Sequence, residues 1–164
     1  LLKTSTIERT AFREAMSRFA AAVHLVTSDG PAGRRGVTVS AACSVSDDPA
    51  TVLVCLNRSS ALNVRFEQNG NFALNVLGES NESVARAFSG EGDLSPEERF
   101  ASAEFITLET GAPVLADALV SLDCRLVETL IVATHRVMIG EVVALRMGKP
   151  DPALVYLDRG YHSL

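Results

Sequence analysis

The sequence predicts a mainly β fold: a six-stranded antiparallel barrel with a few short helices at its ends and edges. Three observations lead there. About six segments read as strands, through period-two alternation or as short, continuous apolar runs. They do not alternate regularly with long helices, which disfavours a doubly wound parallel sheet. Helical patterns are brief and cluster at caps and turns. At 164 residues the chain suits one domain with a real core, taken as residues 1–164.

Each element has a local cause. Ser5-Thr-Ile-Glu8 reads as a capping box, and Phe12, Ala15, Met16 and Phe19 follow at helical spacing, so an amphipathic helix is expected over about 6–21. Val23-His-Leu-Val-Thr27 is a first strand, and Asp29-Gly-Pro-Ala-Gly33 a turn. A second strand runs over Gly36-Val-Thr-Val-Ser-Ala-Ala-Cys-Ser-Val-Ser46 and stops at Asp47-Asp-Pro49. Thr51-Val-Leu-Val-Cys-Leu56 is apolar throughout, as a strand buried on both sides would be. Asn57-Arg-Ser-Ser60 opens a short helix closed by Asn69-Gly70, and Asn71-Phe-Ala-Leu-Asn-Val-Leu77 returns to strand. A short helix is expected near Ser80–Phe88. A second follows Ser95-Pro-Glu-Glu98, which has an N-cap Ser, Pro at the first helical position and Glu closing the box. Two longer strands over about 119–128 and 134–146, then one near 153–157, complete the set.

Bulk properties exclude several functions. The net charge of −5 and a pI near 5.2 argue against a nucleic-acid partner. Arg34-Arg35 sits in a Gly/Pro turn and is too short for a basic patch. No apolar run is long enough for a membrane-spanning helix. The apolar fraction of 47% and mean hydropathy of +0.19 are high, and a second copy of the chain would bury the excess. Cys43, Cys55 and Cys124 are odd in number and far apart, with no CxxC or Cys/His cluster, so zinc is not expected. All three lie in apolar strand-like runs, as core cysteines do, which suits a reducing compartment. The residues from Leu1 onward show no signal-peptide pattern, so the expected location is cytoplasmic.

Four segments are candidates for chemistry. In the second strand, Val37, Val39, Ala41, Cys43 and Val45 fall on one face and Thr38, Ser40, Ala42, Ser44 and Ser46 on the other. That second face carries only small groups and hydroxyls. A broad, flat ligand can lie against it, and a Thr/Ser strand packed under a loop fits equally well. Asn57-Arg-Ser-Ser-Ala-Leu-Asn63 follows a buried strand and opens a helix, where N–H groups, Ser59, Ser60 and Arg58 can receive a phosphate. An ordinary N-cap beside a solvated Arg reads the same way. Ala133-Thr-His-Arg-Val-Met-Ile-Gly-Glu141 places His135 where a strand begins, as a ligand contact or as a rim histidine satisfied by backbone. Gly140 within that strand signals a bulge or a close backbone approach. In Asp158-Arg-Gly-Tyr-His162, Arg159 and Tyr161 either contact a ligand or anchor the tail. No GxSxG, HExxH, P-loop or GxGxxG after a strand is present. A cofactor that brings its own reactivity accounts for so few reactive side chains.

Together these segments resemble the flavin reductase family, small NAD(P)H:flavin oxidoreductases that feed two-component monooxygenases. The resemblance runs from Phe12-Arg-Glu-Ala-Met-Ser-Arg-Phe through Ala22-Val-His-Leu-Val-Thr-Ser, the 36–46 strand, Asp48-Pro, Val52-Leu-Val-Cys-Leu-Asn and Asn71-Phe-Ala-Leu-Asn-Val-Leu to Thr134-His-Arg-Val-Met-Ile-Gly-Glu-Val and Arg159-Gly-Tyr-His. The 4-hydroxyphenylacetate hydroxylase reductases are the subgroup it resembles most. Pyrimidine-utilisation flavin reductases and the corrin reductases of aerobic cobalamin synthesis are similar too. The resemblance implies an FMN-binding split barrel, usually a homodimer, using FMN or FAD with NADH. Electrons would pass to a partner oxygenase through reduced flavin, or to a Co(II) corrinoid. It also implies roles. Thr38, Val39, Ser40 and Ala41 would meet the flavin, with Cys43 and Ser44 nearby. Ser59, Ser60 and Asn63, with Asn57 and Arg58 in the same loop, would hold the phosphate end. His135 would sit beside nicotinamide and flavin, Arg159 and Tyr161 would close the site, and Phe88 would cover the nicotinamide side. Many relatives have Gly-Asp-His where this chain has Ala133-Thr-His135, so an acidic role there is absent. A non-catalytic flavin-binding module is the alternative. An oxidase of the pyridoxamine-phosphate type ranks behind it, because Arg58 and the serines make a weakly basic phosphate site.

Overall fold

The computed structural model describes residues 6–164. Ser5, and with it the predicted capping box, lies outside them. Helix α1 spans Arg9–Ser17, shorter than the expected 6–21, with Glu8 at its N-cap making no side-chain cap bond. No residue of α1 is buried, and Phe12 and Phe19 are 59% and 65% exposed. The predicted apolar stripe therefore exists but meets no core within the chain.

The strands are β1 (Ala21–Ala22), β2 (His24–Ser28), β3 (Arg35–Val39), β4 (Ala42–Asp47), β5 (Ala50–Asn57), β6 (Asn71–Val76), β7 (Phe105–Thr107), β8 (Pro113–Leu115), β9 (Val120–Val132), β10 (His135–Met147), β11 (Leu154–Leu157) and β12 (Gly160–Ser163). Helices α2 (Val64–Asn69), α3 (Glu82–Ser89) and α4 (Pro96–Ala101) lie between them. At α4 the predicted box is formed: Ser95 Oγ accepts from the Glu98 amide, and Glu98 accepts from the Ser95 amide at 2.8 Å. Gly70 caps α2 in the left-handed conformation, as Asn69-Gly70 leads one to expect. The β7–β8 hairpin and β12 are additions to the predicted set, because runs of three or four residues are too short to show a period.

Seven strands form the main sheet in the order β3-β2-β6-β9-β10-β5-β4, all neighbours antiparallel. The two edges, β3 and β4, are consecutive in the chain and separated only by Ser40 and Ala41. The sheet is thus closed on itself by one bent strand. With β3 and β4 taken as one, the barrel has the six strands that the sequence predicts.

The bend corrects the alternation expected for 36–46. Before it, Val37 and Val39 pack against the barrel interior; after it, Ala42 does, while Cys43 and Val45 are exposed. Two residues outside either ladder shift the period by one and exchange the faces. Cys43 is accordingly not a core residue, whereas Cys124 is, and its burial beside Asp123 pushes its thiol up to about 12.

Inside the barrel Val26, Val54, Leu56, Phe72, Leu74, Cys124 and Met138 pack together, and Phe66 of α2 plugs one end. A second core lies outside the sheet, where Leu25, Leu77, Phe88, Phe100, Leu115 and Leu154 join it to α3, α4 and β11. Gly140 fulfils both of its predicted signs. The β9–β10 register shifts between Ile139 and Gly140, and a Cβ there would collide with the Phe72 ring. Ala133 begins the two-residue turn between β9 and β10 at φ +50°, a left-handed conformation unfavourable for Ala.

Two substitutions test these backbone arguments by denaturant unfolding. Ala133→Gly should raise stability by roughly 0.5–1 kcal/mol, because relief of strain exceeds the added chain entropy. Gly140→Ala should lower it by about 1–3 kcal/mol through overpacking against Phe72.

Candidate functional site

The bend opens onto a cavity of about 380 Å³ at the barrel mouth. Thr38, Val39, Ser40 and Ala41 form one wall, and no side chain there is larger than valine. Asn57, Ser59, Ser60 and Asn63 form a second, from the loop that follows β5. His135 enters from the start of β10, opposite Asn57 in the β5–β10 ladder. Phe88 completes the enclosure from α3. Segments far apart in sequence therefore meet because the barrel closes at residues 40–41.

A second cavity of about 260 Å³ shares Thr38, Val39 and Ser40 with the first and contains Arg159 and Tyr161. The first volume is in the range of small-ligand sites, and the second lies just below it. Arg159 is paired with Glu14 of α1 at 2.5 Å, and this carboxylate raises the arginine above its ordinary range. Tyr161 lies under the Arg86 guanidinium, 4.8 Å from the ring centre, and burial raises its phenol. Three predicted residues line neither cavity. Cys43 and Ser44 lie beyond the bend on β4 and are exposed. Arg58 turns to the β9–β10 turn, where Nη1 donates to Ala133 O at 3.2 Å.

The local geometry is well defined. Thr38 Oγ1 donates to Ala85 O at 2.7 Å, tying the small-residue wall to α3. Gly36 lets the Phe88 ring lie against the β3 backbone, where any Cβ would collide with it. Phe88 in turn meets Phe100 edge-on, with centroids 5.0 Å apart. Asn57 Oδ1 accepts from the Ser59 amide at 2.8 Å, which shapes the loop. No full helix begins there: Ala61–Asn63 is a 3₁₀ turn and α2 has six residues, so the expected helix dipole is replaced by side-chain donors. Thr134 Oγ1 lies 3.0 Å from His135 Nδ1. A hydroxyl that donates to Nδ1 leaves the ring proton on Nε2.

Sequence reasoning missed Arg35 and Arg99, which line the same cavity. Arg35 belongs to β3 rather than to the preceding turn. Its Nε donates to Asn63 Oδ1 at 2.9 Å and its Nη2 to Ser60 Oγ at 3.2 Å. Burial, then the nearby guanidiniums of Arg99 and Arg65, pull it below the usual arginine range. The signal available was parity: Arg35 has the phase of Val37 and Val39. Nothing local marks Arg99, on α4.

Asn63 is 2% exposed and links the set, because its Nδ2 donates to Asn57 O at 2.9 Å while its Oδ1 holds Arg35. Asn63→Ala should destabilise the protein by about 1–3 kcal/mol, the cost of leaving buried polar partners unmet, measured by denaturant unfolding.

The profile of the family described as flavin reductase like domain matches residues 16–164. The chain is 46% identical over 162 residues to "FMN reductase (NADH) RutF" of Pantoea ananatis, covering 99% of this chain and 84% of that one. Among solved structures, a putative flavin reductase from Haemophilus somnus superposes with a TM-score of 0.91 at 40% identity, over 96% of this chain and 100% of the other. BorF, the flavin reductase component of a bacterial two-component tryptophan halogenase, superposes with a TM-score of 0.87 at 25% identity, over 96% and 98%.

Proposed function

The chain belongs to the flavin reductase like domain family, and from that premise we propose that it is an NADH-dependent FMN reductase whose flavin lies at the bend of the barrel. The observation that carries this reading is the convergence on one cavity of the Thr38–Ala41 wall, the Ser59–Asn63 donors and His135. A tricyclic ring needs a wall without projecting side chains, and residues 38–41 supply one. Its phosphate end needs donors and positive charge, which Ser59, Ser60 and Arg35 supply.

Bound flavin supplies the hydride acceptor and nicotinamide the donor. The chain contributes position and electrostatics. With flavin bound, backbone N–H groups around Ser40 and Ala41 would stabilise the negative charge that reduction places on it, and Val39 and Phe88 would shield it from water. His135, whose Nδ1 lies 3.0 Å from Thr134 Oγ1, would contact the nicotinamide and orient it.

The electrons leave on reduced flavin to a partner oxygenase or halogenase; BorF, named as the reductase component of such a pair, supports this. A Co(II) corrinoid acceptor is the finer alternative, separated by assaying NADH oxidation with free FMN, free FAD and a cob(II)yrinic acid derivative. No helix among the described residues is long and apolar enough to cross a membrane. Apolar side chains left exposed on α1 and on the long β9–β10 hairpin, among them Phe12, Met16, Val127 and Ile131, support a homodimer. Sedimentation should then give twice the 17.5 kDa of one chain; a monomer at micromolar concentration contradicts the dimer.

The direct test is an anaerobic NADH titration of the protein with FMN. The account expects the flavin to bleach. Yellow protein that NADH leaves unbleached is a binding module, not a reductase. In stopped flow, His135→Ala should slow hydride transfer roughly tenfold to a hundredfold with FMN affinity nearly unchanged. An unaltered rate removes His135 from the reaction.

A further inference from the structure

We propose that Glu14 of α1 sets the affinity of this chain for the nicotinamide nucleotide, by competing with its diphosphate for Arg159. The inference rests on the reductase reading above and concerns the hydride donor rather than the flavin.

Position is the first ground. The second cavity shares Thr38, Val39 and Ser40 with the flavin cavity, so a molecule stacked on the flavin at that wall continues into it. Its lining joins the Tyr156 and Tyr161 rings, edge-on with centroids 5.3 Å apart, to the guanidiniums of Arg86 and Arg159. An aromatic surface beside a cation suits a nucleotide and its diphosphate. Arg159 stands on the two-residue turn between β11 and β12, where Asp158 and Arg159 have φ of +49° and +62°. That turn fixes where the Arg159 side chain begins.

The partners of the two arginines are the second. Arg86 uses all three of its nitrogens: Nε and Nη2 donate to Glu82 and Nη1 donates to Glu91, both close by in the chain. Arg159 depends on Glu14, which comes from a helix of which no residue is buried. Asp158 adds only a weaker attraction. The Arg159 and Glu14 side chains are 59% and 53% exposed, and Glu14 does not line the cavity. The guanidinium can therefore turn from Glu14 to an anion in the cavity without uncovering any core. Ser17 O accepts from the Asp158 amide, so α1 stays attached to the turn while the side chain moves.

The strength of the pair sets the size of the effect. In the free protein the Glu14 carboxylate occupies the guanidinium, and a diphosphate must displace it. An exposed ion pair is worth no more than about fivefold in an equilibrium constant, so Glu14 weakens nucleotide binding by a small factor. The oxidised nucleotide carries the same diphosphate, so the returning carboxylate favours its release as well.

The test follows NADH oxidation at saturating FMN on the full chain and on Glu14→Gln, Arg159→Gln, Arg159→Lys and the double variant Glu14→Gln/Arg159→Gln, each checked for folding by circular dichroism. It is repeated with N-benzyl-dihydronicotinamide, a hydride donor that carries no phosphate. Glu14→Gln should lower KM for NADH about twofold to fivefold and leave KM for the phosphate-free donor within about 1.5-fold. Arg159→Gln should raise KM for NADH by roughly threefold or more, and Arg159→Lys should recover part of that loss, since it restores the charge without the fork. In the Arg159→Gln background, Glu14→Gln should have no further effect. Dissociation constants for NAD+ from calorimetry should move in the same directions. If Arg159→Gln does not fold, Glu14→Gln with the two donors carries the test. A KM for NADH that is unchanged or raised in Glu14→Gln overturns the inference and leaves the pair as an anchor of the turn. So does an equal fall in KM for both donors, or a gain from Glu14→Gln that persists without Arg159. In each of these cases the reductase reading stands. A chain that oxidises neither donor with FMN overturns that reading together with this inference.

Discussion

Between Val39 and Ala42 the backbone leaves one edge of the main sheet and joins the other, and this crossing closes the barrel. Closure by a covalent bend differs from closure by a hydrogen-bonded seam. Residues at the bend belong to neither ladder, and although Ala41 O still accepts from the Cys55 amide of β5, they bring small side chains to the barrel mouth. Everything that lines the cavity is placed relative to that point. The Ser59–Asn63 loop leaves β5, which pairs with β4 just past the bend, and His135 begins β10, which pairs with β5.

The packing outside the barrel serves the same place. Gly36 admits the Phe88 ring onto β3, and Thr38 is bonded to the carbonyl of Ala85 on α3. Helix α3 is therefore fixed against the strand that leads into the bend, and Phe100 of α4 meets Phe88 edge-on. The arrangement that positions Phe88 over the cavity also carries Arg99 to it, because Arg99 and Phe100 are neighbours on α4. An apolar contact thus delivers a charge to the site.

Much of the barrel was legible because its signals are local. Continuous apolar residues in 51–56, alternation along 134–146, Gly70 at a helix end and the box at Ser95 each act within a few residues. The bend was not, because Ser40 and Ala41 are as small as their neighbours and leave the alternation unbroken on paper while shifting it in space. Most of the candidate residues share the cavity, since they flank strands whose order follows from closure. Arg34-Arg35 reads in sequence as part of a turn, although Arg35 has the phase of Val37 and Val39. The meeting of Arg35, Arg65 and Arg99 is purely tertiary, and no spacing encodes it. The apolar stripe of α1 was read from its period, but a period does not say whether the partner is this chain or another.

The central claim is that the bend at residues 40–41 is the seat of the flavin ring. A crystal structure of the protein grown with FMN tests it most directly. The account predicts density for the ring against Thr38–Ala41, with the phosphate among Ser59, Ser60 and Arg35. Flavin seated elsewhere, or a bend covered by protein with no room for the ring, contradicts it.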